Sequence, residues 1–563
     1  MHAVGLLSLE GETLTNVRQS FQLPPSLGSL ELADSDSKAV TAGRANDLVE
    51  IDADPTLIVP EGEGDKYRET PLQPSTTHST ATNDDERTKL EAMTDETTHS
   101  TDDDLLMAFY GDDFTGSTDA LEGLAANGVR ALLFVDDPPT PAELERFDDL
   151  DALGVAGASR SMTPPEMTDE LEPTFEALGD LDVPIVHYKV CSTFDSAPDV
   201  GSIGHAIDIG QAEYDSPVVP VSQGTEVPHG RYVAFSNLFA VQDGETYRID
   251  RHPTMRDHPV TPMREGDLRE HLAEQTDRSI GSVHLTELAT AEAADAALED
   301  ASEESEIVVF DAVETDHLEI IGRVLWDRAT ESTGPLFVVG SSGVQHHSLV
   351  HAWAADGLID RGERLYRKRD PVDALLVVAG SASPTTAAQI DWASENGFLD
   401  VRLESETLVD PDAAAAARLS AVETAVDAIG GGRSVVLYSA RGPDDPALER
   451  TRRHYDSLDV EGSLEVRLGR EQGAILREIL ERTGLTRACV AGGDTSSHAI
   501  PELDVRALEA IAPVGPGAPL CRVHADESTF DGLELALKGG QIGTRHDAAD
   551  YFGAVRDGGV VGD

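Results

Sequence analysis

The chain has 563 residues, of which 105 are Asp or Glu and 42 are Lys or Arg, a formal net charge of −63. A length of this order predicts more than one domain, and 40% apolar residues are enough for sizeable cores. So acidic a surface repels phosphate backbones and anionic headgroups, which excludes general nucleic-acid or membrane-surface binding.

Lysine is scarce, with six in all, at positions 38, 66, 89, 189, 368 and 538. Acid-rich, lysine-poor surfaces suit a salt-saturated cytosol, where charges are screened over about 3 Å at molar salt. A cytoplasmic protein of a halophile is therefore expected. Cys191, Cys489 and Cys521 lie far apart with no CxxC spacing, and give neither a disulfide framework nor a zinc site. No apolar run approaches the roughly 18 residues of a spanning helix, and no basic-then-apolar leader opens the chain.

Residues 1–104 are expected to be a disordered acidic extension. The run "STTHSTATNDDERTKLEAMTDETTHSTDDD" lacks periodic apolar residues. The earlier "DLVEIDADPTLIVPEGEG" has room for a short strand or two, and the natural chain is expected to start near Met93.

From Leu105 the pattern is α/β. Strands are expected at "LLMAFY", "RALLFV", "ALGVAG", "VPIVHYKV", "EIVVFDAV" and "PLFVVG", with helices between several of them, such as "TPPEMTDELEPTFEALGDL". "VQHHSLVHAWAADGLID" reads as a helix closing a first domain, residues 105–365. A second domain, 366–563, carries "ALLVVAG", "SVVLYSA" and "RACVAGG". Alternating strands and helices predict two α/β domains with mostly parallel sheets and a ligand cleft between them.

Ligands of such sheets sit at the carboxyl ends of strands, where helix N-termini offer free N–H groups. Four strand ends carry the chemistry. "YGDDFTGSTDALE" sets Asp112, Asp113 and Thr115 between a strand and a helix. Ser159 and Arg160 follow another strand, and "YKVCSTFDS" sets Lys189, Val190, Cys191, Ser192 and Asp195 after a third. A cation with hydroxyls and carboxylates suits a small polyhydroxy acid. In the second domain Gly380, Ser381 and Ser383 precede Pro384, Gly492, Gly493, Asp494 and Thr495 follow a strand, and Lys538 precedes Gly539 and Gly540. Glycine turns let backbone amides approach phosphate closely. None matches GxxxxGK[ST] or GxGxxG, which argues against a P-loop or dinucleotide fold. His252, His258, His346 and His347 lack metal spacing and are expected in turns or at the surface. No metal ligands are assigned.

Taken in order, "YGDDFTGSTDALE", "ASRS", "YKVCSTFDS" with "GSIG", "VGSSG", "VAGSASPTTAAQI", "VAGGDTSS", "GPGAPLCRV" and "LKGGQIG" resemble the four-carbon acid sugar kinase family over nearly all of residues 105–563. The resemblance implies an N-terminal substrate-binding domain and a C-terminal ATP-binding domain. It implies phosphorylation of sugar acids such as threonate, erythronate or 3-oxo-tetronate. Substrate contacts would fall on Asp112 or Asp113, on Arg160 and on the Lys189–Ser192 run, with Thr115 and Asp195 beside them. ATP contacts would fall on Ser381, on Gly492 to Thr495 and on Gly540 and its neighbours.

Two departures bear on the substrate. The family's FPxxGR loop is replaced by "VVPVSQGTEVPHGRYVAFSNLFA", where the arginine is absent or displaced to Arg231. "YRIDRHPTMRDHPVTPMREGDLREHL" resembles a subgroup that includes kinases of branched oxo-acids such as 3-oxo-isoapionate. The glutamate of the family's GGET is here Asp494. The implied reaction uses ATP and Mg²⁺, with Asp113 the first choice for the base and Asp112 the second. A homodimer is allowed. The rival readings are a non-catalytic sugar-acid sensor and an NAD-dependent dehydrogenase.

Overall fold

Short, continuously apolar runs become strands buried on both faces, the signature of a covered parallel sheet. The computed structural model describes residues 105–560, apart from 148, 226–229, 243, 259, 362–365, 459, 461, 526–528, 544–547 and the side chain of residue 494. It also describes five short strands between Gln19 and Leu57, among them Gln19–Gln22 paired antiparallel with Leu48–Ile51. The expected disorder of the remaining extension, and the start near Met93, lie outside the described residues.

One sheet of fifteen strands runs through the rest. In chain order these are β1 (Met107–Gly111), β2 (Ala131–Val135), β3 (Ala152–Ala156), β4 (Ile185–Lys189), β5 (Val219–Ser222), β6 (Ile280–Val283), β7 (Ile307–Phe310) and β8 (Leu336–Gly340). Then come β9 (Leu376–Ala379), β10 (Leu399–Arg402), β11 (Val435–Tyr438), β12 (Arg487–Ala491), β13 (Val505–Gly515), β14 (Ala518–Ala525) and β15 (Glu534–Lys538). Their spatial order is β6-β7-β5-β8-β4-β1-β3-β2-β13-β14-β15-β12-β9-β11-β10. From β6 to β2 every pair is parallel, and from β15 to β10 every pair is parallel again. Between the two blocks, β2 to β15 are antiparallel, with β13 joining the halves through β2.

The register sets the site. Gly111 lies opposite both Ala156 and Lys189, so β1, β3 and β4 end level. Ala491 lies opposite Ala379 and Lys538, so β12, β9 and β15 end level too. From the ends of β1, β9 and β12 start α1 (Phe114–Ala126), α2 (Pro384–Glu395) and α3 (Gly493–Ala499).

Two elements differ from the sequence expectation. The β13–β14 hairpin is long, but Pro513 and Pro519 and the register shifts at Val505/Ala507 and Ala510/Ala512 break its alternation. The helix expected over 344–360 opens as a π turn, Val344–Ser348, before an α-helix, Leu349–Ala355. The fully buried Trp353 of that helix meets Trp326 edge-on at 5.9 Å.

Candidate active site

The two adjacent aspartates do different things. Asp113 is extended at φ −147° and caps α1, its Oδ1 accepting the Gly116 N–H at 2.9 Å while Oδ2 accepts from the Arg160 guanidinium. Asp112 is 3% exposed and clamped by its backbone: its N–H donates to Lys189 O at 2.9 Å, and its carbonyl accepts from Arg160 N–H at 3.1 Å. Its carboxyl Oδ1 is buried without a hydrogen-bond partner. Burial pushes the Asp112 carboxyl up to about 7; Arg160 and Lys189 oppose that rise, and the negative charges of Asp113 and Asp195 add to it.

Both aspartates line a cavity of about 370 Å³, together with Thr115, Arg160 and Asp195. The buried Asp195 accepts from Thr193 Oγ1 at 2.5 Å and from Thr261 Oγ1 at 3.0 Å. Of the other residues expected here, Lys189 is buried beneath the start of α1, where a Cβ on Gly116 would overlap its Nζ. Its charge reaches Asp112 from below without lining the cavity. Val190 is fully buried and its N–H donates to Gly340 O at 2.8 Å. Cys191 lies 3.0 Å from Thr193 Oγ1, burial raising its thiol pKa, and neither it, Ser192 nor Arg231 lines the cavity.

Among the lining residues that sequence reasoning did not assign to the site are His258, Val260, Thr261 and Ser497. The first three come from an irregular segment anchored by the buried Met255 and Met263, whose backbones pair at 2.9 Å. Of the histidines expected in turns or at the surface, His252 does serve a turn, buried, with its Nδ1 accepting from the Thr254 and Met255 N–H groups at 3.3 Å. His346 needs correction: it packs on Gly123 of α1 with its Nε2 3.0 Å from Asp119 O, placed by helix packing that a lone histidine in sequence does not reveal.

A second cavity, of about 740 Å³, is built on the other turns. Gly380, Ser381, Gly492, Gly493, Thr495 and Gly540 line it. Ser383 caps α2, accepting from Thr386 N–H at 3.0 Å and donating to Gly540 O, so the turn after β15 is tied to α2. Lys538 is 1% exposed, does not line the cavity and donates to Thr386 Oγ1 at 3.1 Å; burial lowers its pKa to about 8. Gly492 has φ +136°, which requires glycine, and a Cβ there would meet Thr495 Oγ1 at 2.8 Å. A Cβ on Gly540 would meet Ser381 Oγ at 2.7 Å, so bare backbone faces the cavity at both turns.

The cavities adjoin. Gly493, at the start of α3, lines both, and Thr115 of α1 lies 3.5 Å from where a Gly493 Cβ would be and 3.3 Å from a Gly539 Cβ. Among the described residues no group of three His, Cys, Asp or Glu side chains could hold a metal ion, and no helix is long and apolar enough to cross a membrane.

Backbone-lined glycine turns beside an acid-and-arginine pocket suit phosphoryl transfer to a small polar acceptor. Comparison with known proteins narrows the class. Residues 107–348 match the sugar-binding N-terminal domain family and residues 376–547 the nucleotide-binding C-terminal domain family. A 3-oxo-isoapionate kinase of Paraburkholderia graminis is 42% identical over 81% of this chain and 95% of its own length. A 3-oxo-tetronate kinase of Methylobacterium radiotolerans is 30% identical over 80% of this chain and 99% of its own. A solved Salmonella typhimurium protein, described as a putative tRNA synthase, shares the fold at TM-score 0.64 and 23% identity, covering 81% of this chain and all of that one.

The chain belongs to the four-carbon acid sugar kinase family. It is an ATP-dependent sugar-acid kinase.

Proposed function

We propose that the chain transfers the γ-phosphoryl group of ATP to a primary hydroxyl of a small oxo sugar acid bound between Asp112 and Arg160. A branched acid such as 3-oxo-isoapionate is the first choice, and a four-carbon 3-oxo-tetronate the second. The observation that carries the reading is Gly493, whose backbone borders both cavities, so a phosphoryl group held at α3 faces the acceptor.

Phosphoryl transfer asks the protein mainly for positioning and charge neutralisation. ATP supplies the phosphoryl group. The amides at Gly493 and Gly540 suit its phosphates because no Cβ crowds them. Mg²⁺ would neutralise charge on those phosphates and would need at most one or two of the cavity carboxylates, Asp112, Asp113 and Asp195, to hold it. Arg160, paired through one N–H with Asp113, offers its remaining N–H groups to the substrate carboxylate.

Asp112 takes the proton from the acceptor hydroxyl as the new O–P bond forms and the bond to the ADP oxygen breaks. This reverses the order expected from sequence, which put Asp113 first. Asp113 is committed to the helix cap and to Arg160, whereas Asp112 keeps an unpartnered oxygen and a carboxyl pKa of about 7. The test is ADP release with Mg²⁺ in molar KCl, across 3-oxo-isoapionate, 3-oxo-tetronates, threonate and erythronate. Turnover with an oxo-acid is expected. No ADP release with any acid overturns the proposal and favours a sensor.

A further inference from the structure

We propose that His258 is a specificity residue, donating a hydrogen bond from Nε2 to the oxo oxygen of the acid and so favouring an oxo-acid over its hydroxy counterpart. This rests on the reading of the cavity as the acid-binding site. The ring's tautomer follows from its neighbours. His258 Nδ1 lies 3.1 Å from the Thr261 backbone nitrogen, which can only donate. Nδ1 is therefore the acceptor, and the ring's N–H donor is Nε2.

The Thr261 hydroxyl lies 3.0 Å from Nδ1 and donates to Asp195 Oδ2 at 3.0 Å, so the segment that carries His258 is tied to a buried carboxylate. Nδ1 faces the Thr261 N–H and is taken up as its acceptor, which leaves Nε2–H as the ring's donor. His258, Val260 and Thr261 all line the cavity that holds Asp112 and Arg160.

The polar lining divides by chemistry. Asp112 and Asp195 accept and therefore call for substrate hydroxyls, while Arg160 suits the carboxylate. An oxo oxygen can only accept, and the Nε2–H of His258 supplies the donor. A hydroxyl in the same place would have to turn its own proton away from the Nε2–H toward another acceptor, a constraint the oxo oxygen does not carry. Val260, 57% exposed at the cavity rim, adds an apolar surface beside the donor.

The experiment compares wild type, His258→Ala and His258→Gln on a 3-oxo acid and its 3-hydroxy counterpart, with KM for ATP measured alongside. Loss of one net hydrogen bond predicts about a tenfold rise in KM for the oxo acid in His258→Ala. KM for the hydroxy acid and for ATP should stay within about twofold, and the glutamine amide should restore most of the preference. Equal losses on both acids, or an unchanged oxo-acid KM, overturn the proposal. If wild type phosphorylates neither acid, the kinase reading falls and His258 is judged from calorimetric binding of the two acids. A preference for the oxo acid that is lost in His258→Ala then supports it, and an unchanged preference overturns it.

Discussion

Asp112→Asn should make the protein more stable and nearly inactive at once. The Asp112 carboxyl rises from an ordinary value of 3.8 to about 7, chiefly because burial penalises its charge. A shift of roughly three units at 1.36 kcal/mol each is about 4 kcal/mol by which ionised Asp112 burdens the fold. A raised acid pKa means that the folded state holds its proton more tightly than the unfolded chain. The group's stabilising contribution is therefore full below about pH 4, falls as pH rises from about 4 to about 7, and is gone above that. Asparagine mimics the protonated carboxyl at every pH. The variant should match wild type near pH 4 and exceed it by up to about 4 kcal/mol at pH 8, read by chemical denaturation in constant salt. In the coupled ADP assay, kcat/KM should fall by about 10²–10⁴-fold, the usual worth of a general base. The wild-type rate should itself decline below about pH 7 as Asp112 takes up its proton. A variant that is less stable than wild type at pH 8, or that keeps its activity, refutes the assignment.

Asp113→Ala removes a helix cap and the partner of Arg160 together. It should cost about 1 kcal/mol of stability through the cap and raise KM for the acid more than KM for ATP, as steady-state kinetics with each substrate varied would reveal. Gly540→Ala puts a Cβ 2.7 Å from Ser381 Oγ in the nucleotide cavity. ATP affinity by calorimetry should drop at least about tenfold while acid affinity holds, and unchanged ATP binding would mean that the phosphates lie elsewhere.

Much of the architecture was legible because parallel strands buried on both faces must be continuously apolar. β1, β3, β4, β9 and β12 stand out as such runs, and the residues after them announce their turns. The antiparallel seam was not legible, because Pro513, Pro519 and the bulges of β13 erase a two-residue alternation. The aspartate pair was visible as a pair, but the division of labour depends on which carboxylate the helix start and Arg160 claim. His258 and Thr261 lie some 65 residues from Asp195 in sequence, and only packing of an irregular segment brings them to it. Lys189 and Lys538 were conspicuous by their rarity, yet burial gives both a place behind the turns rather than on the cavity walls.

The seam between the two halves has a consequence for how such kinases can be recombined. Leu133 and Phe134 of β2 pair with Leu508 and Ala507 of β13, so neither half closes its own sheet on that side. A half released alone would present a bare strand edge, an invitation to unwanted pairing with another chain. A chimaera carrying the nucleotide half of one relative on the sugar half of another therefore has to match more than its two pockets. The strand pairing at β2 and β13, and Arg506 with its ion pair to Glu143 at 2.7 Å, would have to travel as one unit.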